Sequence, residues 1–107
     1  MKVINLTPHD VNICDDCGNI IKTYKPSGSV ARVRHNWREV EYIDGVPVVV
    51  RENEHVVDLP DYQEGVFYIV SNIVLEYCYD RVDILAPVQQ VKDLSGRVIG
   101  CRAFAGN

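Results

Sequence analysis

Short runs of β-branched and aromatic residues recur along the whole chain, and most of them end at glycine, proline, aspartate or asparagine. Such runs suit the half-buried surface of a pleated sheet, and the residues between them favour turns. The pattern predicts about eight short strands, drawn from β-type segments at residues 2–6, 11–14, 20–24, 30–34, 40–43, 46–51, 66–70, 83–86, 88–92 and 97–104.

Two positions give this pattern more detail. Asp44-Gly45 is the kind of dipeptide that a type I′ turn requires, so residues 40–43 and 46–51 should form a hairpin, with Pro47 keeping its strand at an edge or a bulge. Residues 66–70 are continuously apolar, as in a central strand, and Ser71 after them is a candidate N-cap for a helix over residues 72–79. We therefore expect one α+β, β-rich domain over residues 1–107, with mostly antiparallel strands in a barrel-like or sandwich arrangement and one short helix.

Composition limits the classes of function. The net charge is −4, which disfavours extended nucleic-acid binding because neutralising many phosphates needs a Lys/Arg-rich surface. No apolar run approaches the length of a membrane span, and no signal-peptide pattern opens the chain. We expect a soluble cytoplasmic protein with reduced thiols, no membrane association and no cofactor.

The segment Cys14-Asp15-Asp16-Cys17-Gly18 has the spacing of half a zinc knuckle. Cys78 and Cys101 would have to complete the site, and both fall on core-facing patterns where a free cysteine acts as a small apolar residue. A plain hairpin turn is the stronger interpretation, with Cys14 and Cys17 as weak metal candidates.

Polar residues at strand ends and loops are the main candidates for binding. Guanidinium groups and loop amides bind phosphate or carboxylate, and rigid sheets commonly present such residues at their ends. The first hypothesis is a non-catalytic protein that binds a small anionic ligand, such as a nucleotide signal, through His9, Ser27, Arg32, Ser71 and Arg81.

This site hypothesis has one geometric requirement, and one of its residues has an alternative role. His9 and Arg32 should lie on the same face of the domain and share a pocket. Arg81 lies beside Asp80 and Asp83, so an ion pair is an alternative role for its side chain.

A second hypothesis is a protein–protein interaction module, either an inhibitor or an assembly subunit. Exposed aromatic residues anchor interfaces, and edge strands favour homo-oligomers. The aromatic candidates are Trp37, Tyr42, Tyr62 and Tyr79. A small hydrolase or nuclease using His9 and Asp10 is the third and least supported, because no recognised catalytic motif is present.

Several segments together resemble a family of small uncharacterised proteins of bacteria and their phages. They are INLTPHDV, PSG before ARV, EGVFYIVS before a helix, RVDILAP and GRVIGCRAF, and they span nearly the whole chain. The resemblance implies a shared fold and a phage or prophage setting. Two departures stand out: CxxCG replaces an Asp/Asn-Gly turn, and residues 88–90 replace a Gly-rich stretch.

Overall fold

The computed structural model describes residues 1–107, and it contains eight strands and one helix. In chain order the elements are β1 (Lys2–Asn5), β2 (Val11–Cys14), β3 (Ile20–Tyr24), β4 (Arg32–Ile43), β5 (Val46–Val57), β6 (Val66–Ile69), α1 (Asn72–Tyr77), β7 (Ile84–Lys92) and β8 (Val98–Gly106). The β-rich α+β class predicted from the sequence is confirmed. The helix has six residues, so it is far too short to cross a membrane.

Six strands form one sheet in the order β1-β6-β7-β8-β2-β3. The longest pairings are antiparallel, whereas β1 with β6, β6 with β7 and β2 with β8 are short parallel contacts. The two outer strands approach each other at an isolated parallel bridge between Asn5 and Pro26. The sheet is therefore curled without forming a closed barrel.

The buried side chain of Asn5 joins the two edges of the sheet by hydrogen bonds. Its Nδ2 donates to the carbonyls of His9 at 2.8 Å and Tyr24 at 2.9 Å, and its Oδ1 accepts from the Thr7 amide at 2.9 Å. A buried amide with all these partners satisfies backbone groups that would otherwise be unpaired. One side chain thus fixes the turn after β1 and joins it to the end of β3.

The core lies on both faces of the curled sheet. On one face α1 covers β6 and β7, with Val70, Val74 and Ile84 almost completely buried. On the other face Ile69 packs with residues of β2 and β8. Within the apolar run predicted as a central strand, Ile69 and Val70 are buried and Phe67 is half-buried.

The helix is capped at both ends by side chains. Ser71 Oγ accepts from the Val74 amide at 3.3 Å, so the predicted N-cap is confirmed. At the other end, Asn107 Nδ2 donates to the carbonyls of Leu75 and Cys78 at 3.1 and 3.0 Å. The helix ends at residue 77 rather than at the predicted 79.

Two pairs of predicted segments are continuous strands. Residues 84–86 and 88–92 join as β7 through Pro87, which pairs with Phe104 of β8 at a point beyond the end of β6, and Asp83 of the predicted segment lies just before the strand. A proline is tolerated there because its missing N–H faces no β6 partner. Residues 32–34 and 40–43 likewise belong to a single strand, β4, which begins at Arg32 rather than at the predicted Val30, and its partner β5 extends to Val57.

Candidate functional site: an exposed β arm

Strands β4 and β5 form a two-stranded hairpin that is separate from the main sheet, and we call it the arm. Each strand has twelve residues. A rise of about 3.3 Å per residue gives the ribbon a length of about 40 Å. The radius of gyration is 17.3 Å and the longest dimension is 53 Å. A compact chain of this length would have a radius of gyration of about 13 Å. The arm therefore projects from the body of the protein.

The tip of the arm is the turn that the sequence predicted. Asp44 and Gly45 have φ values of 53° and 75°. A type I′ turn demands positive φ at both of these central positions. Ile43 pairs with Val46 directly beside this turn, and Tyr42 pairs with Pro47. The side chains of Tyr42, Ile43 and Val46 are exposed at the tip.

The base of the arm is anchored in the core. Val33 and Val56 pair across the two strands and pack against the cluster beneath α1. Tyr77 Oη, from the helix, donates to the carbonyl of Glu54 at 2.6 Å. The outer two-thirds of the arm contributes no residue to the hydrophobic core clusters and no side-chain hydrogen bond to the body of the protein.

Cross-strand register assigns the side chains to two faces, because directly paired residues share a face and successive residues alternate. Trp37 pairs with Arg51, Glu39 with Val49, and Tyr42 with Pro47. Tyr42 Oη donates to Glu39 Oε2 at 3.2 Å, so the bulge between Glu39 and Glu41 leaves both on one face. We call this the Trp37 face.

Aromatic and charged groups are combined on the Trp37 face. The Trp37 ring is 59% exposed and meets His35 edge-on, with ring centroids 4.7 Å apart. The Arg51 guanidinium lies 5.8 Å from the centre of the same ring. That separation is within the range of a cation–π contact. Tyr42 and Val49 are 64% and 41% exposed. Neither Glu39 nor Arg51 has an ion-pair partner within the chain.

The opposite face of the arm is organised differently. Arg38 pairs with Val50 in register, and its Nε donates to Glu52 Oε2 at 2.9 Å across the ribbon. These two charges therefore satisfy each other within one chain. Ile43 and Val46 give this face its exposed apolar residues near the tip.

The residues predicted to bind an anion do not come together as one free site. Arg81 is a structural residue: its Nε and Nη2 donate to the two carboxylate oxygens of Asp83, both at 2.8 Å, and Nη2 also donates to the carbonyl of Pro60 at 2.8 Å. Asp83 is 2% exposed, and the hydrogen bonds from Arg81 hold the pKa of this carboxyl below its usual range. The same hydrogen bonds raise the pKa of Arg81. The alternative role weighed for Arg81, an ion pair, is the one that the structure has. Its Asp83 end is buried, and the Arg81 side chain is partly exposed.

Ser71 and Arg81 lie at opposite ends of the parallel β6–β7 pair. Ser71 lies two residues after the end of β6, whereas Arg81 lies three residues before the start of β7, and α1 runs between them. The Ser71 hydroxyl already accepts a helix amide. A single small ligand would therefore not contact both residues.

His9, Ser27 and Arg32 all lie near the carboxyl end of β1. His9 is held there through its carbonyl by Asn5, and the Ser27 amide donates to the Asn5 carbonyl at 3.0 Å. The Ala31 amide donates to the Leu6 carbonyl at 3.1 Å, which places Arg32 one residue further along. The His9 ring makes no hydrogen bond with Asp10, so the pair expected of a hydrolase is not formed.

Ser27 lines an open cleft of about 590 Å³. Ser29, Asp58 and Gln63 supply its other polar groups, and Ile4, Leu6 and Tyr68 form its floor on the sheet. His9 and Arg32 do not line this cleft. Asp58, whose φ is 60°, places a carboxylate in the wall. A like charge at that position disfavours a second anion.

The CxxC segment forms a turn organised by an aspartate. Cys14 is buried and Cys17 is exposed, and Asp15 Oδ1 accepts from the amides of Cys17 and Asn19 at 2.9 Å each. These bonds lower the pKa of Asp15, the one from Asn19 most strongly. No group of three or more His, Cys, Asp and Glu side chains is placed to hold a metal ion.

The hairpin between β7 and β8 repeats this turn without cysteines. Asp93 Oδ1 accepts from the amides of Ser95 and Arg97 at 2.9 and 3.0 Å, and Gly96 occupies the place of Gly18. Both turns therefore hold their shape through an aspartate and a glycine with positive φ. The thiols are not needed for the geometry of the first turn.

Comparisons with known proteins give no relative to set beside this geometry. No family model matches the chain, and no curated protein and no solved structure proved similar to it.

The arm is the feature that the sequence predicted only in part. Its turn and the exposure of Trp37 and Tyr42 were expected, and the continuity of β4 through residues 35–39 was not. These residues are mostly polar and exposed, so they lack the apolar alternation that marks a half-buried strand. The sequence feature that could have revealed the long hairpin is the run of aromatic and β-branched residues on both sides of Asp44-Gly45.

Proposed function

We propose that this protein is a non-catalytic interaction module and that the arm is its contact surface. The observation that carries the proposal is the exposure of Trp37, Tyr42 and Val49 on one face of a projecting ribbon. Aromatic residues anchor protein interfaces, and here they stand on a ribbon that projects from the body of the protein.

The marginal stability expected of an arm that lacks a partner supports the same proposal. A two-stranded hairpin alone is at best marginally stable in water, and this one has core contacts only at its base. Covering its apolar side chains would contribute about 25 cal/mol for each Å² removed from water. A partner that lies along the arm would therefore stabilise both the interface and the ribbon.

The setting we propose is that of a phage or prophage accessory protein acting in the cytoplasm. The first part is supported only by the resemblance of several sequence segments to small proteins of bacteria and their phages. The four free cysteines, three of them buried, support a reducing compartment. No base activates the serine hydroxyls of the Ser27 cleft, because Ser27 Oγ is hydrogen-bonded only to the backbone of Ser29, and this is why the proposal is non-catalytic.

Site-specific photo-crosslinking in the cells that make the protein tests this proposal. A photoreactive amino acid replaces Tyr42 at the arm tip in one variant and Tyr79 in the other. Tyr79 is the matched control, because it is a tyrosine 79% exposed just beyond the helix. We expect a discrete crosslinked product from position 42 and none from position 79. No product from position 42, or equal products from both, would overturn the proposal.

A small anionic ligand, such as a nucleotide, is the second candidate. It is supported by the hydroxyls of Ser27 and Ser29 in a cleft whose volume suits a ligand of that size, with Arg32 as an exposed cation outside the lining. The Asp58 carboxylate in the same cleft opposes an anion, so this candidate ranks second. Thermal unfolding with mono-, di- and cyclic nucleotides tests it. We expect a ligand-dependent rise in the unfolding midpoint that Arg32→Ala reduces, and the absence of any rise would remove this candidate.

A further inference from the structure

We infer that the partner of the arm is a second copy of the same chain, and that two Trp37 faces pack against each other about a two-fold axis. The inference rests on the proposed function, because it names the partner of that same surface. A two-fold contact uses one surface twice, so the surface must be complementary to itself. The charges and apolar groups of the Trp37 face meet that condition.

The charges of the Trp37 face are complementary to those of a second copy. Glu39 lies one cross-strand level beyond Arg51 toward the arm tip, on the same face. Two arms that run in opposite directions, with the axis between these levels, place Glu39 of each copy at the level of Arg51 of the other. Two equivalent ion pairs then form between chains. Within one chain, neither group has an ion-pair partner.

The apolar side chains of the Trp37 face also meet in this arrangement. The same arrangement puts the Trp37 level of one copy opposite the Glu39–Val49 level of the other, so that the indole ring covers the Val49 side chain. Each of the two levels that flank the axis then holds one Trp37–Val49 contact beside one Glu39–Arg51 ion pair. Aromatic residues and arginine are both enriched in protein interfaces.

The opposite face of the arm differs from the Trp37 face in how its charges are paired. There Arg38 already binds Glu52 in the same chain at 2.9 Å, so these charges have no unmet partner. This difference between the faces explains why we assign the interface to the Trp37 face. It also supplies a control, because the Arg38–Glu52 pair can be reversed without touching the proposed contact.

Charge reversal with light scattering and sedimentation over a concentration series tests the inference. The wild-type chain should have the mass of two chains at high concentration. Glu39→Arg and Arg51→Glu alone should each weaken the dimer by roughly tenfold or more, since each places like charges together twice. The double variant E39R/R51E should restore the dimer, and R38E/E52R should leave it unchanged.

Trp37 gives an independent signal because it is the only tryptophan in the chain. Its fluorescence emission should move to shorter wavelength, and its quenching by iodide should fall, as the wild-type concentration rises. Glu39→Arg should abolish both changes. Leu94→Ser, which alters a fully exposed apolar residue in the turn between β7 and β8, should preserve both changes.

The outcomes separate this inference from the proposed function. A wild-type chain that has the mass of one chain and unchanged Trp37 emission at every concentration overturns the dimer. A dimer that survives both single reversals, or that R38E/E52R also disrupts, overturns the assigned face. If position 42 then crosslinks to a different protein, the arm is still the contact surface, and only the identity of the partner is wrong.

Discussion

Arg81 binds Asp83 through two parallel hydrogen bonds, Nε to Oδ1 and Nη2 to Oδ2, each 2.8 Å long. Asp83 is almost completely buried just before β7, and Arg81 also donates to the carbonyl of Pro60 in the loop after β5. The pair therefore ties the start of β7 to the loop that leaves the arm. Its role in this protein is structural.

Removing the arginine should be strongly destabilising. Arg81→Met leaves the Asp83 carboxylate buried without its partner, and we expect a loss of about 3 kcal/mol in the free energy of unfolding by urea. Arg38→Met is the matched control, because the pair of Arg38 with Glu52 is exposed. An exposed pair of this kind should contribute less than about 1 kcal/mol. Equal losses in the two variants would contradict a buried structural role for the Arg81–Asp83 pair.

The same pair predicts a direction for the pH dependence of stability. The pKa of Asp83 is lowered in the folded protein by hydrogen bonds from Arg81. An unfolded aspartate has a pKa of about 3.9. The unfolded chain therefore takes up the proton first as pH falls. The contribution of Asp83 is fully present above the unfolded pKa and is lost as pH falls through the lower folded pKa.

Urea unfolding of the wild type and Asp83→Asn from neutral pH to about pH 2 measures this contribution. The difference in unfolding free energy between the two proteins should be largest near neutral pH and should shrink in acid. Asp15 and Asp93 also have lowered pKa values, and comparing the two proteins removes their contribution. A difference that stays constant down to the lowest pH would show that the pKa of Asp83 is not lowered by folding.

The elements that could be predicted from the sequence are those specified by neighbouring residues. The Asp44-Gly45 turn, the apolar strand β6 and the Ser71 cap depend on a few consecutive residues, and all three are present. The continuity of β4 could not be predicted, because its middle is exposed on both faces and has no apolar period.

The predicted anion site depended on long-range placement, which local patterns do not specify. Ser71 and Arg81 are only ten residues apart, yet the β6–α1–β7 crossover separates them along the sheet. Arg81 is recognisable as half of an ion pair from its spacing to Asp83, and what the sequence did not reveal is that Asp83 is buried. The role of Asn5 was also missed, because its partner Tyr24 is nineteen residues away.

Asn5 gives a sharp test of how the sheet edges are joined. Asn5→Asp keeps the shape and the acceptor for Thr7, but it replaces the Nδ2 donor by a carboxylate oxygen that faces the carbonyls of His9 and Tyr24. We expect a loss of about 3 kcal/mol at neutral pH, because a buried carboxylate would face two carbonyl oxygens that have lost their donor. The same change at exposed Asn36 should alter stability by less than about 0.5 kcal/mol. Similar losses at the two positions would show that the amide of Asn5 does not hold the edges.

Gly100 marks the place where β8 passes closest to β2, and it gives the last prediction. A Cβ at this position would lie 2.6 Å from Cys14 Sγ and 2.7 Å from the carbonyl oxygen of Asn12, so β2 would have to move. Gly100→Ala should therefore cost about 2 kcal/mol of stability. Gly106→Ala, in the same strand, should be nearly neutral, because the nearest atoms to its Cβ lie at 3.7 and 3.9 Å.

A double-mutant cycle with Cys14 identifies which of the two contacts limits the approach of β2 and β8. Cys14→Ala removes the sulfur but leaves the Asn12 carbonyl, so it should relieve only part of the cost of Gly100→Ala, and the two changes should be non-additive. Chemical denaturation of both single variants and the double variant gives the coupling energy. Strict additivity would place the Cys14 sulfur out of contact with residue 100, and a Gly100→Ala variant as stable as Gly106→Ala would contradict the close approach of the two strands.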